Sequence, residues 1–411
     1  MTTSEDNQRF MREPMLKCAH SIVGRGAPRA NANIGERRLE KHSTRAAVCP
    51  TFSSLLPMSA ASSPSALAGS AASQAADPRL DVLSGWTAAT LGTHAFTLAP
   101  ASADASFRRY FRITLAEPWR GHPTVVVMDA PPPMEDCRPF VHVAQLLRAA
   151  EVNAPEILAA DLERGLLLLT DLGDRTYLAA LDPLSARRLY LDAIDALVRW
   201  QAATRVNELP PYDSTLLRRE VMLFPEWYVQ RHLGRTLDQQ QTLTLEEAFR
   251  VVLENNVTQP QVFVHRDYHS RNLMVCARNP GVLDFQDAVR GPITYDLVSL
   301  LRDAYIAWPE EQQIDLAVRY WERARTAHLP VNDDFGTFWR DFEWMGVQRQ
   351  LKVLGIFARL YYRDGKAGYL ADMPRVMAYL RGACARYGAL HPLLRLLDTL
   401  QAAEPQPGRA P

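Results

Sequence analysis

The polar residues best suited to carry chemistry lie at the ends of short apolar stretches in the second half of the chain. Residues 262–264 are apolar and lead into a polar loop that contains Asp267 and, five positions later, Asn272. Another apolar stretch, residues 281–283, ends at Asp284. Phosphoryl transfer needs such a set, because one carboxylate can accept a hydroxyl proton while an amide oxygen and a second carboxylate hold Mg²⁺. The spacing therefore predicts phosphoryl-transfer chemistry.

Two other interpretations of these residues stay open. His265, Asp267 and His269 form a His-x-Asp-x-His pattern, which could supply ligands to a hydrolytic zinc or dimetal site. That interpretation leaves Asn272 and Asp284 without a role, and alternate positions of one loop rarely converge on a single ion without distant ligands. The second alternative is a catalytically silent fold used as a binding module. It is disfavoured because the acid, the amide and the second acid are all intact.

The elements that must position this loop change in character along the chain. Short β-rich runs and one amphipathic helix precede residue 173, and the periodicity is then mostly helical. One β-rich island, residues 261–287, interrupts the helices and carries the loop. Strands followed by helices predict an α+β fold, with a small β-rich lobe and a large, mainly helical lobe. The predicted strands cover residues 107–115, 124–128, 156–159 and 165–170, and the predicted helices cover residues 139–150, 185–203, 215–233, 243–256, 310–327, 334–362 and 374–387.

The loop resembles that of the aminoglycoside phosphotransferase and choline kinase-like family, which has the form His-x-Asp-x-x-x-x-Asn. This chain has the pattern from His265 to Asn272, and its strand-end motif is Asp284-Phe285-Gln286. Protein kinases share the fold but have Asp-Phe-Gly at the second motif. The resemblance covers roughly residues 80 to 400 and implies a two-lobed, protein-kinase-like fold.

Longer stretches are similar to the bacterial cell-wall-recycling kinases, which phosphorylate the anomeric hydroxyl of N-acetylmuramate or N-acetylglucosamine. The similar stretches are residues 104–112, 128–132, 265–272, 283–287 and 291–297. The similarity implies ATP-dependent transfer to the C1 hydroxyl of one or both amino sugars in peptidoglycan recycling. Kinases for aminoglycosides, choline, homoserine or methylthioribose are the alternatives within the fold.

The resemblance also implies a role for individual residues. Asp267 is implied to be the catalytic base, and Asn272 and Asp284 are implied to be Mg²⁺ ligands. His265 and Asp296 are implied to support the catalytic loop. The expected nucleotide-binding residues are Ser106, Phe107, Arg108, Arg109, Leu169, Asp171 and Leu172. The expected sugar-binding residues are His269, Arg271, Glu226 and Trp227.

Lysine is nearly absent, which departs from the usual kinase arrangement. The chain has four lysines, at positions 17, 41, 352 and 366, so none lies in the expected nucleotide-binding sheet. Kinases usually place a lysine on the third strand of that sheet, where it contacts the α- and β-phosphates. Phosphate binding is therefore predicted to rely on Mg²⁺, on backbone amides at residues 105–107, and on Arg108, Arg109 or Arg138.

Composition and charge argue against several classes of protein. The 411 residues include 46 basic and 46 acidic side chains, so there is no basic excess of the kind that nucleic-acid binding requires. No apolar run is long enough to span a membrane. Five scattered cysteines without a CxxC pair indicate a reducing compartment. We expect a cytoplasmic bacterial monomer that binds ATP, Mg²⁺ and an amino sugar, and binds neither nucleic acid nor membrane.

The predicted domain organisation has four parts. Residues 1–78 are basic and then rich in Ala, Ser and Pro, and we expect a disordered tail. Met58 within it could be the natural start. Residues 79–173 are predicted to form the N-lobe, which ends in a hinge, and residues 174–400 to form the helical C-lobe with the catalytic loop and the sugar site. Residues 401–411 are predicted to be a flexible C-terminus.

Overall fold

The protein is described by a computed structural model for residues 77–102 and 108–402. Most of the predicted tail, residues 1–78, and most of the predicted flexible C-terminus, residues 401–411, lie outside these ranges. Ser106 and Phe107, which the sequence assigned to nucleotide binding, also lie outside the described residues. Helix α1 (Pro78–Leu91) is the first described element.

A five-stranded antiparallel sheet makes up most of the N-lobe. Its strands are β1 (Phe96–Ser102), β2 (Arg109–Trp119), β3 (His122–Asp129), β4 (Ile157–Asp161) and β5 (Leu166–Thr170). Their order across the sheet is β1-β2-β3-β5-β4. One face packs on a core that contains Leu83 and Leu91 of α1 together with Ile113, Val125 and Leu168. Helix α1 therefore covers one face of the sheet.

The strands β2 and β3 continue further than the sequence predicted. They are joined by a two-residue turn in which Arg120 has a φ of 50° and Gly121 a φ of 84°. Trp119 pairs directly with His122 across this turn. Positive φ at both central residues matches the twist of the flanking strands, which is why such turns dominate tight hairpins. Most of the segment between the two predicted strands, residues 116–123, is therefore strand.

The remainder of the described chain is mainly helical. The α-helices are α2 (Arg138–Ala149), which belongs to the N-lobe, and then α3 (Tyr177–Ala180), α4 (Ala186–Ala202), α5 (Ser214–Val221), α6 (Gln239–Thr258), α7 (Tyr295–Leu301), α8 (Glu310–Thr326), α9 (Phe335–Asp364), α10 (Met373–Arg386) and α11 (His391–Ala402). A π-helix spans Phe224–His232, and 3₁₀ turns span Ala367–Asp372 and Gly388–Leu390. The long helix α9 packs against α6, α7, α10 and the π-helix, so it organises the lobe.

One predicted helix, residues 215–233, is divided in the structure. Helix α5 ends at Val221, and the π-helix begins at Phe224 with Pro225 in its first turn. Proline lacks an N–H and cannot continue the hydrogen-bond ladder of a preceding helix. The start of the π-helix also lies directly against α9, because a Cβ built on Gly355 would stand 2.4 Å from the carbonyl carbon of Leu223. Glycine is required at that contact.

Two short strand pairs hold the β-rich island of the C-lobe. Strand β6 (Gln261–Val264) pairs with β9 (Val289–Pro292), and β7 (Leu273–Met274) pairs with β8 (Gly281–Val282). The loop between β6 and β7 is the one that carries the predicted catalytic residues. The fold prediction of a small β-rich lobe and a large helical lobe is confirmed. Within the part of the chain that is described, no helix is both long and apolar enough to cross a bilayer.

Candidate active site

The loop between β6 and β7 and the strand end after β8 meet in unusual backbone conformations. Arg266, immediately before Asp267, has a φ of 77°, and Asp284 has a φ of 62°. Residues other than glycine rarely adopt positive φ, and where they do the strain is concentrated at functional sites. Both positions are held by hydrogen bonds from surrounding elements, which keep the loop in this shape.

His265 joins the loop to the neighbouring strand end. Its buried ring has Nε2 3.0 Å from the carbonyl oxygen of Leu283 and Nδ1 3.3 Å from the backbone nitrogen of Asp267. Both hydrogen bonds form when Nε2 carries the proton and Nδ1 accepts, which describes a neutral imidazole. Burial lowers the pKa of His265 to about 4, in agreement with that state. The ring therefore ties the backbone of Asp267 to the residue before Asp284.

Asp296, in the first turn of α7, supports the loop from the other side. Its carboxylate accepts hydrogen bonds from the backbone N–H groups of His265 at 2.6 Å and Arg266 at 3.0 Å. Burial raises the pKa of Asp296 to about 7, and these two hydrogen bonds oppose that rise. Two backbone donors on one buried carboxylate fix the strained turn that precedes Asp267.

Asn272 and Asp284 lie side by side. The amide nitrogen Nδ2 of Asn272 donates to the carbonyl oxygen of Asp267 at 3.0 Å and to Oδ2 of Asp284 at 3.3 Å. These bonds use the nitrogen end of the amide, which leaves the Oδ1 oxygen as the group that can ligate a cation. The Nε2 of Gln286 donates to Oδ1 of Asp284 at 2.8 Å. Gln286, at the position of the kinase glycine, therefore orients the Asp284 carboxylate.

Asp267 is held as a carboxylate. Burial alone would raise its pKa, but the positive charges around it outweigh burial and lower the pKa below its ordinary value. Lys352 contributes the largest of these favourable charge interactions, and His269 and Arg266 follow. A half-buried carboxylate that stays ionised can accept a proton from a nearby hydroxyl.

A buried ion network beneath the loop supplies part of this charge. The carboxylate of Glu220 lies 3.1 Å from Nζ of Lys352 and 2.5 Å from Nη2 of Arg266. Lys352 also donates to the hydroxyl of Tyr295 at 2.9 Å. Burial would lower the pKa of Lys352, but Glu220 reverses this and keeps the ammonium charged. The network places a permanent cation near Asp267.

These residues border a cleft of about 580 Å³ between the sheet and the helices. That volume is typical of small-molecule sites. Asp267, Asn272 and Asp284 all line its floor. The N-lobe residues that line the cleft are called the N-lobe wall here, and they include Tyr110, Arg112, Val126, Leu169, Asp171 and Leu172. The helical wall includes His269, Arg271, Tyr305, Arg349, Lys352 and Phe357.

Known proteins match both the sequence and the fold. The model of a family described as the phosphotransferase enzyme family matches residues 97–331. The chain belongs to this family. A relative from Pseudomonas aeruginosa named N-acetylmuramate/N-acetylglucosamine kinase is 50% identical over 329 residues, which cover 80% of this chain and 94% of the relative. A relative of the same name from Neisseria meningitidis is 48% identical over 78% of this chain and 96% of its own length.

A solved structure of a choline/ethanolamine kinase family protein from Mesorhizobium loti has the same fold. Its TM-score is 0.53 at 14% identity, and the match covers 77% of this chain and 99% of that chain. The predicted kinase-like fold is confirmed by this likeness, and phosphotransferase activity is confirmed by the family. The zinc hydrolase and the silent binding module are therefore set aside. Among the described residues, moreover, no group of three His, Cys, Asp or Glu side chains could hold a metal.

The arginines predicted at the phosphates of this phosphotransferase have neighbours within the N-lobe. Arg109 forms an ion pair with the buried carboxylate of Asp129, which also pairs with Arg79 of α1. Arg108 is half-buried beside them. Arg138 lies at the exposed start of α2, 3.2 Å from Asp136. The Asp129 pairs link α1 to the hairpin, so Arg109 has a structural partner in the described chain.

The predicted interlobe hinge lines the cleft but has a partner that the sequence did not reveal. Leu169, Asp171 and Leu172 are all on the N-lobe wall. The carboxylate of Asp171 accepts from Nε of Arg112 at 2.6 Å and from its Nη2 at 3.0 Å. Arg112 also donates to the carbonyl oxygen of Gly173 at 2.8 Å. This side chain therefore fastens the hinge to the sheet.

The predicted sugar-binding residues divide into two groups. His269 and Arg271 line the cleft, and the guanidinium of Arg271 stacks on the ring of Tyr305 at 3.6 Å from its centroid. Glu226 and Trp227 are not among the residues that line the cleft, because the π-helix carries them elsewhere. Glu226 is exposed and Trp227 is half-buried. The pattern of the sequence could not show that this segment turns away.

Sequence reasoning missed Lys352, Arg349 and Tyr305 as cleft residues of the phosphotransferase. The first two lie on α9, more than 60 residues after Asp284 and outside any short motif. The sequence did contain one indication of these two residues. Arg349 and Lys352 are charged but lie beside the apolar residues Leu351 and Val353 in the same helix. Charged residues on a buried face usually have a partner or a ligand.

Proposed function

We propose that this phosphotransferase moves the γ-phosphoryl group of ATP to the anomeric C1 hydroxyl of N-acetylmuramate, N-acetylglucosamine or both. The observation that carries the proposal is the meeting of Asp267, Asn272 and Asp284 on the floor of one cleft, between the N-lobe wall and the helical wall. The names of the relatives support the identity of the acceptor. The matching segments span nearly the whole length of those relatives.

Asp267 is proposed to act as the catalytic base. Its carboxylate is ionised, lines the cleft and belongs to a loop fixed from both sides by His265 and Asp296. It would orient the C1 hydroxyl and accept its proton as the oxygen attacks the phosphoryl group. Positioning of this kind makes the reaction effectively unimolecular, and general-base help contributes about 100- to 10,000-fold.

Asn272 and Asp284 are proposed to hold Mg²⁺. The donor set fits this ion, because Oδ1 of Asn272 and the carboxylate of Asp284 are adjacent hard oxygen ligands, and Gln286 already orients that carboxylate. When bound between these two side chains, Mg²⁺ would neutralise negative charge that develops during phosphoryl transfer. The protein's own contribution is to keep both oxygens facing the cleft.

The nucleotide is proposed to lie against the N-lobe wall, with the adenine at Leu169, Asp171 and Leu172. Backbone N–H and C=O groups of such a hinge can hydrogen-bond an adenine edge, and Arg112 fixes the hinge to the sheet. We infer the lobe division at residue 173 from this arrangement, with residues 79–173 on one side and residues 174–400 on the other. Because ATP and sugars released from the cell wall meet inside the cell, we place the reaction in the cytoplasm.

The charge of the helical wall supports an amino-sugar acceptor over a cationic one. Three basic side chains, Arg271, Arg349 and Lys352, line this wall. An aminoglycoside or choline carries positive charge and would be repelled, whereas N-acetylated sugars are neutral or acidic. Aromatic rings such as Tyr305 and Phe357 on the same wall suit the apolar face of a sugar ring.

A coupled ADP-release assay with ATP and Mg²⁺ tests the proposal. The acceptor panel contains N-acetylmuramate, N-acetylglucosamine, choline, homoserine, methylthioribose and an aminoglycoside, together with the methyl glycoside of N-acetylglucosamine, whose C1 oxygen is blocked. We expect turnover with one or both free amino sugars and none above background with the glycoside. Turnover of the blocked sugar would exclude C1 as the acceptor, and a preference for choline or an aminoglycoside would overturn the substrate assignment.

A further inference from the structure

Arg349 is a buried cation that faces the cleft without a carboxylate partner. The residue is 4% exposed, yet it lines the helical wall beside Lys352 on α9. Its Nε makes no hydrogen bond among the residues that the structure describes, and none of the ion pairs there includes it. An arginine that stays charged in such a place is costly unless an anion binds it.

The nearby acidic groups are engaged by other donors. Asp296 accepts the two backbone N–H groups that hold the catalytic loop. Asp303 accepts the backbone N–H of Ser270 at 2.8 Å and that of Tyr305 at 2.7 Å. Glu220 is shared by Lys352 and Arg266. The charge of Arg349 acts on Asp267 and Asp296, but within the described chain neither carboxylate forms an ion pair with it, and its unpartnered Nε points to an external anion.

The neighbourhood of Arg349 is that of a ligand subsite. His269 also lines the cleft, and its Nδ1 is buried without a hydrogen-bond partner in the described chain. The His269 ring packs edge-on against Tyr305, with 5.4 Å between the ring centroids. The guanidinium of Arg271 lies over the Tyr305 ring. Burial lowers the pKa of His269. Arg349 supplies the buried charge of this group.

We propose that Arg349 binds the carboxylate of an acidic acceptor and thereby sets a preference for N-acetylmuramate over N-acetylglucosamine. The two sugars differ by the lactyl ether of the former, which ends in a carboxylate. A guanidinium can bind that group through two parallel N–H···O hydrogen bonds in a site largely closed to water. The inference rests on the proposed function, because it concerns the same acceptor site.

The test compares kcat/KM for both sugars in the wild type and in Arg349→Gln. We expect the variant to lose about 10- to 100-fold for N-acetylmuramate, the usual worth of a charge-assisted pair, while N-acetylglucosamine changes by less than about threefold. Arg349→Lys should recover part of the lost efficiency, since it keeps the charge but not the paired geometry. Arg359→Gln is the matched control, because Arg359 lies on α9 but does not line the cleft, and both sugars should be unaffected.

Equal losses for both sugars in Arg349→Gln would overturn the inference, since Arg349 would then serve the phosphoryl group or the loop. No loss for either sugar would also overturn it. A second measurement does not depend on the folding of any variant: the wild type is assayed with N-acetylmuramate and with its methyl ester. We expect the ester to lose about 10- to 100-fold, and equal efficiency would contradict the proposal. If the wild type phosphorylates neither sugar, the proposed function itself fails.

Discussion

The two walls of the cleft use positive charge in different ways. On the N-lobe wall, Arg112 is committed to the hinge through Asp171, and Arg109 nearby pairs with Asp129. On the helical wall, Arg349 has no acidic partner in the described chain, and Lys352 sits in a buried network close to Asp267. The cation with the largest effect on Asp267 therefore comes from the helical wall. The sheet contains no lysine, and we propose that the hinge and Mg²⁺ hold the nucleotide instead.

The lysine at the cleft of this protein differs in position from the usual kinase lysine. One of the four lysines of the chain, Lys352, lies at the site, but it comes from the helical wall rather than from a strand. Its ammonium is held by Glu220 and acts on Asp267. A cation at this place lowers the pKa of Asp267, whereas a lysine on the third strand of other kinases contacts phosphates.

Replacement of Asp267, on the cleft floor between the two walls, should lower activity more than any other change. Asp267→Ala removes the proposed base, and we expect kcat to fall by about 100- to 10,000-fold with either amino sugar. ATP binding, measured by calorimetry, should change little because the hinge and the metal ligands remain. Thermal unfolding serves as the folding control. Activity within about threefold of the wild type would show that this carboxylate does not take the proton.

The hydrogen bonds that His265 makes to Leu283 and Asp267 should contribute to the stability of the folded protein. Its pKa is about 4 in the folded protein and near 6.5 when unfolded, so the unfolded chain binds the extra proton first as the pH falls. The wild type should thus lose up to about 3 kcal/mol of stability between pH 6.5 and pH 4 from this group. Urea unfolding at pH 7.5 and pH 5 measures the loss. His265→Gln should be less stable than the wild type at pH 7.5, but it should lose less stability than the wild type does between pH 7.5 and pH 5. An equal loss in both proteins would contradict the role assigned to His265.

On the helical wall, Lys352→Met should lower kcat/KM by about tenfold or more, since about 1.4 kcal/mol of transition-state stabilisation is already tenfold. The same change removes the largest charge that keeps the pKa of Asp267 low. The acid limb of the pH profile should therefore move to higher pH. Glu220 keeps Arg266 and Tyr212 as partners, so the fold should persist. An unmoved acid limb would show that Lys352 does not act on Asp267.

On the N-lobe wall, Arg112→Gln should have the smallest effect. The half-buried pair with Asp171 is worth about 1 kcal/mol, so we expect KM for ATP to rise about fivefold while kcat changes little. Steady-state kinetics with ATP as the varied substrate separates the two constants. A larger loss in kcat than in KM would mean that Arg112 contacts the transferred group, and the contrast between the walls would then fail.

The meeting of Asp267, Asn272 and Asp284 in one cleft could be predicted from sequence because these residues are local. Asp267 and Asn272 share one loop, and Asp284 ends the next short strand pair, so the type and spacing of residues are sufficient. Arg349 and Lys352 could not be placed in this way. Their positions depend on how α9 packs against the loop, which is a long-range contact without a motif.

Long-range packing also explains where the observed fold differs from the fold predicted from sequence. Strand β1 contains Pro100, and no alternating pattern marked it as part of the sheet. Helix α1 was not predicted, although residues from 79 onward were expected to belong to the N-lobe. Glu226 and Trp227 lie outside the cleft because they belong to a separate π-helix that begins at Phe224. In each case tertiary packing decided what local preference did not.

The position of the phosphate on the product tests the central claim most directly. The enzyme is incubated with ATP, Mg²⁺ and N-acetylmuramate or N-acetylglucosamine, and the product is examined by ³¹P and ¹³C NMR. The account predicts that phosphorus couples to the anomeric C1 and its proton, and that the signal is absent for Asp267→Ala over the same incubation. Coupling to any other carbon, or the same C1 product at the same rate from the variant, would contradict it.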